Sequence, residues 1–218
     1  MNGKNRKVVV TSTIRDEGKS SLSINLAISL AQAGSKVLLI DADMRNPSVH
    51  RYLRLRRDSN SGLSNLLTGD VKVGDCLIST PVGVDVIAGG SIPPNPVELI
   101  GSDAMKNLLA VAAEHYDYII CDAPPVGVIT DAAALSPLCD GVLFVVRQKF
   151  ANRNQVMMAI KSLQNVKAKI LGIILSQYEI PKKPSKYHSS SADYYGYYST
   201  EEPETPPEQE AENKDEMK

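Results

Sequence analysis

The sequence predicts an α/β domain of the doubly wound type, with a mostly parallel sheet and helices on both faces. Three observations lead to this fold class. Short apolar runs rich in β-branched residues, typical of buried strands, alternate along the chain with longer segments of helical periodicity. The first of these strands is followed by a Gly-Lys-Ser sequence that opens a helix. Two further strands end in aspartate, at the end of a parallel strand where ligands bind.

Each element is predicted from apolar periodicity and from the residues that start or stop it. Leu22, Leu26 and Leu30 form the apolar stripe of the first helix, and Asp103 is expected to cap a later one. The predicted strands are 8–10, 36–40, 84–87, 118–122, 141–146 and 169–175. The predicted helices are 20–33, 62–69, a segment after Pro96, 103–115 with Leu108, Val111 and Ala112 on one side, a segment from Asp131, and 152–165.

Length and composition limit the classes of protein that the chain can represent. Its 218 residues suffice for one α/β domain, and its 43% hydrophobic and 22% charged residues are typical of a soluble globular protein. A net charge of −1 favours neither nucleic acid nor membrane, so no nucleic-acid partner is expected. The three cysteines lack metal or redox spacing, and neither a membrane span nor a signal peptide is evident. We therefore expect a cytoplasmic protein.

Gly18-Lys19-Ser20 lies between the first predicted strand and the first predicted helix. This is the context of a P-loop, because backbone N–H groups and the helix dipole converge there on phosphate. Lys19 would reach the β- and γ-phosphates of ATP, and the Ser20 hydroxyl would bind Mg²⁺. Glu17, Gly18 and Ser21 complete the candidate cofactor-binding set. The alternative is an ordinary helix N-terminus with acidic residues in its first turn.

Three aspartates follow predicted strands and complete the candidate site. Asp41 and Asp43 stand two residues apart at the end of the second strand, so both can face the crevice. One can hold Mg²⁺ through water while the other accepts a proton. Asp122 ends a strand in the manner of a Walker B element. The candidate catalytic residues are thus Lys19 and these three aspartates, and the candidate metal ligands are Ser20, Asp43 and Asp122. The alternative for Asp41 and Asp43 is a charged turn.

A basic cluster lies within residues 51–57 and consists of Arg51, Arg54, Arg56 and Arg57. Exposed arginines most often form a solvated face. Four guanidinium groups in so short a segment could instead bind an acidic partner segment or a phosphorylated tail. Both interpretations remain open at this point.

The composition changes after Glu179, where prolines and lysines interrupt the apolar pattern. We expect residues 1–180 to form the folded domain and 181–218 a disordered, tyrosine-rich and acidic tail. Aromatic residues are scarce in most disordered tails. The tyrosines therefore suggest phosphate acceptors, although a plain flexible tail is the alternative. The candidate acceptors are Tyr187, Tyr194, Tyr195, Tyr197 and Tyr198.

With these residues in hand, the chain resembles the bacterial tyrosine kinases (BY-kinases), P-loop proteins that regulate capsule and exopolysaccharide assembly. The resemblance covers about residues 7–198. It rests on Glu17-Gly18-Lys19-Ser20 as Walker A, 39–45 (Leu-Ile-Asp-Ala-Asp-Met-Arg) as Walker A′, 93–99 (Pro-Pro-Asn-Pro-Val-Glu-Leu) as the proline-rich loop, 119–125 (Ile-Ile-Cys-Asp-Ala-Pro-Pro) as Walker B, and the tyrosine cluster.

The resemblance implies an ATP- and Mg²⁺-dependent protein-tyrosine kinase that phosphorylates its own tyrosine cluster in trans. It also implies a membrane-embedded activator whose cytoplasmic tail completes the active site and recruits the kinase to the inner face of the membrane. Self-association and an opposing tyrosine phosphatase are further expected partners.

This chain departs from the family pattern at three places. Arg15-Asp16 replaces Pro-Gly, Ser176 replaces an asparagine that contacts adenine, and the segment before the first strand is short. Two alternatives therefore stay open. One is a cell-division or partitioning-type ATPase switch, although Ile14 stands where that branch carries a lysine. The other is a catalytically weak nucleotide-binding regulator.

Overall fold

The computed structural model describes residues 6–56 and 60–179, and a seven-stranded sheet forms their centre. The strands are β1 (Arg6–Ser12), β2 (Val37–Asp41), β3 (Leu77–Ser79), β4 (Val84–Ile87), β5 (Tyr118–Asp122), β6 (Gly141–Arg147) and β7 (Ile170–Ser176). Their order in the sheet is β3-β4-β2-β5-β1-β6-β7. Every neighbouring pair is parallel except β3 and β4. The predicted fold class is therefore confirmed.

Helices connect the strands and cover the sheet. They are α1 (Lys19–Gln32), α2 (Val49–Tyr52), α3 (Leu63–Thr68), α4 (Val73–Cys76), α5 (Pro96–Gly101), α6 (Asp103–His115), α7 (Asp131–Leu135) and α8 (Arg153–Asn165). A short 3₁₀ turn, Ser136–Leu138, follows α7. Within the described ranges, none of these helices has the length and apolar character needed to cross a membrane.

The apolar residues form two clusters, one on each face of the sheet. Helices α6, α7 and α8 pack on one face through side chains such as Met105, Leu135 and Leu163. Helix α1 packs on the other through Ile24 and Ala27. The central strands are buried on both faces because helices cover both sides of a parallel sheet. Each fully buried aliphatic side chain contributes about 1.5–3 kcal/mol relative to an exposed one.

The chain divides by its internal contacts into two units, Met1–Tyr178 and Glu179–Lys218. Apart from Glu179, all described residues belong to the first unit. The predicted tail, 181–218, and its five tyrosines lie outside the described residues, as does Arg57. The predicted disorder and the proposed phosphate acceptors therefore stay predictions.

Several predicted details differ from the structure. The buried face of α1 contains Ile24 and Ala27, whereas the predicted stripe of Leu22, Leu26 and Leu30 is only half-buried beside it. The predicted elements include neither α2 nor α4 nor β3. These elements have three or four residues each, too few to show a periodicity.

The start of α6 also differs from the prediction. Ser102 is the capping residue, and its hydroxyl accepts a hydrogen bond from the Met105 backbone N–H at 3.3 Å. Asp103 is the first residue of the helix itself. On the same helix Leu108, Val111 and Ala112 do share a side, but Val111 is 54% exposed, because that side borders an open apolar groove of about 460 Å³.

The strand order brings three loops to one edge of the sheet. Strand β5 lies between β2 and β1, and Asp41 is the register partner of Asp122. The loops that follow β1, β2 and β5 therefore start side by side at the carboxyl edge. This edge is where open α/β sheets bind ligands, and it carries the predicted site.

Candidate nucleotide-binding and phosphotransfer site

The loop between β1 and α1, residues 13–18, turns tightly onto the start of the helix. Gly18 has a φ of 91°, and Asp16 has a φ of 63°. Glycine adopts this left-handed conformation without strain, and aspartate tolerates it better than most residues. Asp16 thus occupies a position that suits glycine, which explains how this chain keeps the loop without the family's Pro-Gly. Gly127 lies against the Thr13 carbonyl and leaves no space there for a side chain.

Glu17 braces the loop with its side chain. Its carboxylate is fully buried and accepts hydrogen bonds from the backbone N–H groups of Ile14, at 2.8 Å, and Arg147, at 3.2 Å. The predicted cofactor-binding role of Glu17 can therefore involve only its backbone, because its side chain is turned away from the pocket.

Two residues at the ends of β6 and β7 support the loop from behind. The Ser176 hydroxyl donates to the Glu17 carbonyl at 2.6 Å. The Arg147 guanidinium donates to the Asp16 carbonyl at 3.3 Å and stacks over the Phe150 ring, 4.4 Å from its centroid. Sequence reasoning missed Arg147 altogether and considered Ser176 only for a base contact. No local signal could reveal either contact, since both join distant parts of the chain.

Lys19 lies between two carboxylates at the first turn of α1. Its Nζ atom is 3.1 Å from Asp43 Oδ2 and 3.7 Å from Asp122 Oδ1. It also donates to the Ser20 hydroxyl at 3.1 Å. Burial lowers the pKa of Lys19, but the Asp122 and Asp43 carboxylates outweigh burial and hold that pKa above its ordinary value. Lys19 is therefore a charged group at the bottom of the candidate phosphate pocket.

The predicted aspartates occupy different environments. Asp43 borders the pocket, where its Oδ1 accepts from the Asn46 N–H at 3.1 Å. Asp41 is fully buried, and its Oδ2 accepts from the N–H groups of Ser48, at 2.9 Å, and Val49, at 3.0 Å. The expectation that Asp41 faces the crevice beside Asp43 was wrong, because Asp41 turns inward to hold the start of α2.

Asp122 lies behind Lys19 and is also fully buried. Its Oδ1 accepts a hydrogen bond from the Ser23 hydroxyl at 3.2 Å. Burial raises the pKa of Asp122, although Lys19 opposes this effect. Burial together with the Asp122 carboxylate raises the pKa of Asp41 to about 7. A cation at this position would relieve the repulsion between the two carboxylates.

Unpartnered oxygens test whether these residues fit a magnesium ion. Among the described residues, the buried polar side-chain atoms without a hydrogen-bond partner are Thr13 Oγ1, Asp41 Oδ1 and Asp122 Oδ2. Two of the three are carboxylate oxygens on neighbouring strands at this site, and Mg²⁺ prefers such hard oxygen ligands. No three carboxylate, imidazole or thiol side chains converge on one metal position in the described ranges. A magnesium ion would therefore also need the Ser20 hydroxyl, water and nucleotide oxygens.

The pocket itself has a volume of about 120 Å³ and is bordered by the loop, the residues after β2, and α2. Ser48 on its wall donates from its hydroxyl to the Ser20 hydroxyl at 3.1 Å. The lining residues are Arg15, Asp16, Gly18, Lys19, Ser20, Ser21, Asp43, Asn46, Ser48, Arg51 and Tyr52. The predicted residues Gly18, Lys19, Ser20, Ser21 and Asp43 thus line one polar pocket. The larger apolar groove beside α6 contains none of the predicted site residues.

A long-range ion pair holds the residues after β2 in place. Arg45 binds Asp131 through two hydrogen bonds, Nε to Oδ2 at 2.9 Å and a terminal nitrogen to Oδ1 at 3.2 Å. Asp131 is fully buried at the start of α7, while the Arg45 side chain is 38% exposed. This bidentate pair joins the turn that carries Asp43 to the segment that follows β5. The pair has no local signal in the sequence, because its two residues lie 86 positions apart.

Comparison with known proteins identifies relatives of this chain. A family model described as "AAA domain" matches residues 16–173. Tyrosine-protein kinase CpsD of Streptococcus agalactiae is 38% identical over 200 residues, which span 90% of this chain and 83% of that protein. Tyrosine-protein kinase YwqD of Bacillus subtilis is 38% identical over 198 residues, spanning 90% of this chain and 79% of that protein.

A solved structure agrees with these matches. The kinase domain of the Escherichia coli tyrosine kinase ETK superposes with a TM-score of 0.78 at 32% identity, covering 85% of this chain and 72% of that domain. The similarity therefore extends over both the sequence and the arrangement of the strands. The chain belongs to the bacterial tyrosine-protein kinases, the family that its motifs resemble.

Proposed function

We propose that this kinase transfers the γ-phosphoryl group of ATP to tyrosines of its own C-terminal cluster, in trans between two copies of the chain. One observation supports this proposal above the others. Lys19 lies at the N-terminus of α1 between Asp43 and Asp122, in a pocket lined by the P-loop. A helix N-terminus with a lysine binds phosphate, and a neighbouring carboxylate can receive a hydroxyl proton.

The nucleotide would bind against the loop amides and Lys19, which would move from Asp43 toward the phosphates. Bound Mg²⁺ would supply charge neutralisation for the transferred phosphoryl group. Ser20 would hold the ion, and Asp122 and Asp43 would each hold one of its waters, which leaves the Asp43 carboxylate able to accept a proton. The acceptor phenol oxygen would attack the γ-phosphorus atom, ADP would leave, and Asp43 would accept the phenol proton. Asp41 would hold the start of α2 with one oxygen, which accepts from the Ser48 N–H, and its unpartnered oxygen would add negative charge near the ion.

The resemblance of the motifs, and relatives that are tyrosine-protein kinases, support a proposal for the biological role. We propose that the kinase acts in the cytoplasm and regulates capsule or exopolysaccharide synthesis and export. A membrane-embedded activator would recruit it to the inner face of the membrane and complete the active site. A tyrosine phosphatase would reverse the modification. Self-association would bring the tyrosines of one copy to the pocket of another.

The test is detection of phosphotyrosine on the chain expressed with and without Lys19→Ala. We expect the substitution to abolish the signal, because the main cationic phosphate contact is lost. Lys36→Ala is the matched control, since Lys36 is an exposed lysine just before β2, at the opposite edge of the sheet. Phosphotyrosine that persists in Lys19→Ala would contradict the proposed site.

Two other outcomes would favour the alternatives. Release of free phosphate from labelled ATP, with no label on tyrosine, would indicate an ATPase switch of the partitioning type. Nucleotide binding without transfer, even with an activator fragment supplied, would indicate a catalytically weak regulator. Isothermal titration calorimetry with ATP separates this last case from a failure to bind nucleotide.

A further inference from the structure

Exposed arginines lie at the rim of the phosphate pocket, in addition to the lysine at its floor. Arg15 in the loop and Arg51 on α2 are both exposed and both border the pocket. Arg54 and Arg56 follow Arg51 at short spacing and are also exposed. Beside Arg51, the Tyr52 ring is 60% exposed. An arginine-rich segment therefore begins at the mouth of the site with Arg51.

Arg51, Arg54 and Arg56 differ from the cations deeper in the site, which are paired with carboxylates. Lys19 has Asp43 and Asp122 as partners, and Arg45 has Asp131. In residues 6–56 and 60–179, by contrast, no carboxylate lies within ion-pair distance of Arg51, Arg54 or Arg56. Their charges therefore remain available to a ligand outside the described residues. Such a ligand must be acidic and must reach the mouth of the pocket.

The chain's own tyrosines have acidic neighbours. Asp193 directly precedes Tyr194, and Glu201 and Glu202 follow Tyr198 by three and four residues. Residues 201–218 carry eight acidic and two basic side chains. In an extended chain, three residues span about 10 Å. With Tyr198 in the pocket, Glu201 would therefore lie about 10 Å away, closer to the rim than to the floor.

We propose that Arg51, Arg54 and Arg56, here called the arginine rim, bind acidic residues that flank the acceptor tyrosine and so make the kinase selective for acidic tyrosine peptides. This inference rests on the proposed phosphotransfer at the same pocket. It gives the basic cluster a substrate-binding role beside the nucleotide-binding role of the P-loop. The arginine rim lies on and after α2, whereas phosphate groups would bind the loop and Lys19.

The test compares two synthetic peptides that cover residues 191–204. One has the natural sequence, and the other carries Asp193→Asn, Glu201→Gln, Glu202→Gln and Glu204→Gln. The enzyme is the full chain with its five cluster tyrosines replaced by Phe, so that its own cluster does not compete with the peptide as an acceptor. The rim variant of this enzyme adds Arg51→Gln, Arg54→Gln and Arg56→Gln. The control variant adds Arg6→Gln, Lys36→Gln and Lys169→Gln, three exposed cations at the amino ends of β1, β2 and β7.

We expect the rim variant to raise the KM for the natural peptide about fivefold, since exposed ion pairs are individually weak. The KM for the neutral peptide should change little, and the control variant should behave like the parent enzyme. Because Arg51 borders the phosphate pocket, the Kd for ATP is measured for each variant and the KM values are compared at saturating ATP. Raising the salt concentration from about 0.05 M to about 0.3 M should reproduce the effect in the parent enzyme, because exposed charges are screened.

Three results would overturn the inference. Equal KM values for the two peptides in the parent enzyme would show that acidity is not recognised. Equal effects of the rim and control variants would show only a response to net charge. A rise in the Kd for ATP in the rim variant, with unchanged peptide selectivity, would assign the arginines to the nucleotide.

Peptide binding measured by fluorescence anisotropy, with a non-hydrolysable ATP analogue present, separates this inference from the proposed function. Selective binding of the natural peptide that is lost in the rim variant would support the arginine rim even if no phosphate is transferred. Absence of selective binding by an enzyme that does transfer phosphate would refute the rim alone.

Discussion

At the scale of single residues, the three aspartates of the site have different roles because their surroundings differ. Asp43 borders the pocket, while Asp41 and Asp122 are fully buried. Asp41 uses one oxygen to hold the start of α2, and Asp122 holds Lys19 and Ser23. A buried carboxylate with an unpartnered oxygen is costly. The protein retains two of them at adjacent strand ends, which is expected of a site that receives a cation.

Asp43→Asn and Asp122→Asn should each lower Mg²⁺-dependent phosphotransfer. Asparagine keeps the size of the side chain but removes the charge that would attract the metal and Lys19. We expect about a 10- to 100-fold loss or more in kcat/KM, measured with labelled ATP across a magnesium titration. Asp103→Asn is the control, because Asp103 pairs only with the exposed Lys106 at the surface of α6. If either variant matched the parent enzyme at every magnesium concentration, that residue would have no metal role.

At the scale of elements, α6 shows how a helix start is decided. Both Ser102 and Asp103 are residue types that cap helices, and they are adjacent in the sequence. The structure selects Ser102, which has extended backbone angles and accepts from the Met105 N–H. Its hydroxyl also donates to the Leu99 carbonyl at 2.7 Å, so that Ser102 joins the end of α5 to the start of α6.

Ser102→Ala should therefore destabilise the protein by about 1 kcal/mol, the ordinary value of a lost N-cap. Asp103→Ala should have a smaller effect, because its carboxylate is exposed and pairs only with Lys106. Urea unfolding followed by circular dichroism measures both changes. The cap assignment would be wrong if Asp103→Ala were the more damaging substitution.

At the scale of the whole molecule, the site depends on loops from separate parts of the chain. The loop after β1 is braced by the ends of β6 and β7, and the turn after β2 is held by α7. The geometry of the candidate site thus relies on the whole carboxyl edge of the sheet. A phosphorylated tyrosine would face the Asp43 carboxylate in the pocket, whereas the acidic residues that flank it would face the arginine rim.

Phosphorylation of the tyrosine cluster should consequently release the tail and separate any complex between copies or with the activator. Each phosphate adds about −1.5 to −2 charges at pH 7, next to an acidic segment and opposite Asp43. Light scattering on phosphorylated and phosphatase-treated protein measures the change in mass. The variant with all five tyrosines replaced by Phe is the control and should keep one mass under both treatments. A mass that does not respond to phosphorylation, or phosphates found mainly outside residues 187–198, would contradict this mechanism.

The sequence by itself determined the fold class, the P-loop and the family. These depend on short patterns in the sequence. An apolar run, a turn and Gly18-Lys19-Ser20 lie within a few residues of one another, and each predicted strand ends where its apolar run ends. The short α2, α4 and β3 escaped prediction because three or four residues show no period.

Only the tertiary structure decided how the site is assembled. The strand order makes Asp41 and Asp122 neighbours. Asp41 is buried, whereas Asp43, two residues later, borders the pocket. Glu17 meets Arg147, and Arg45 meets Asp131, across separations of 130 and 86 residues. Such contacts depend on which strands become neighbours in the sheet. That choice is made by the packing of both apolar faces together, so no local stretch of sequence contains it.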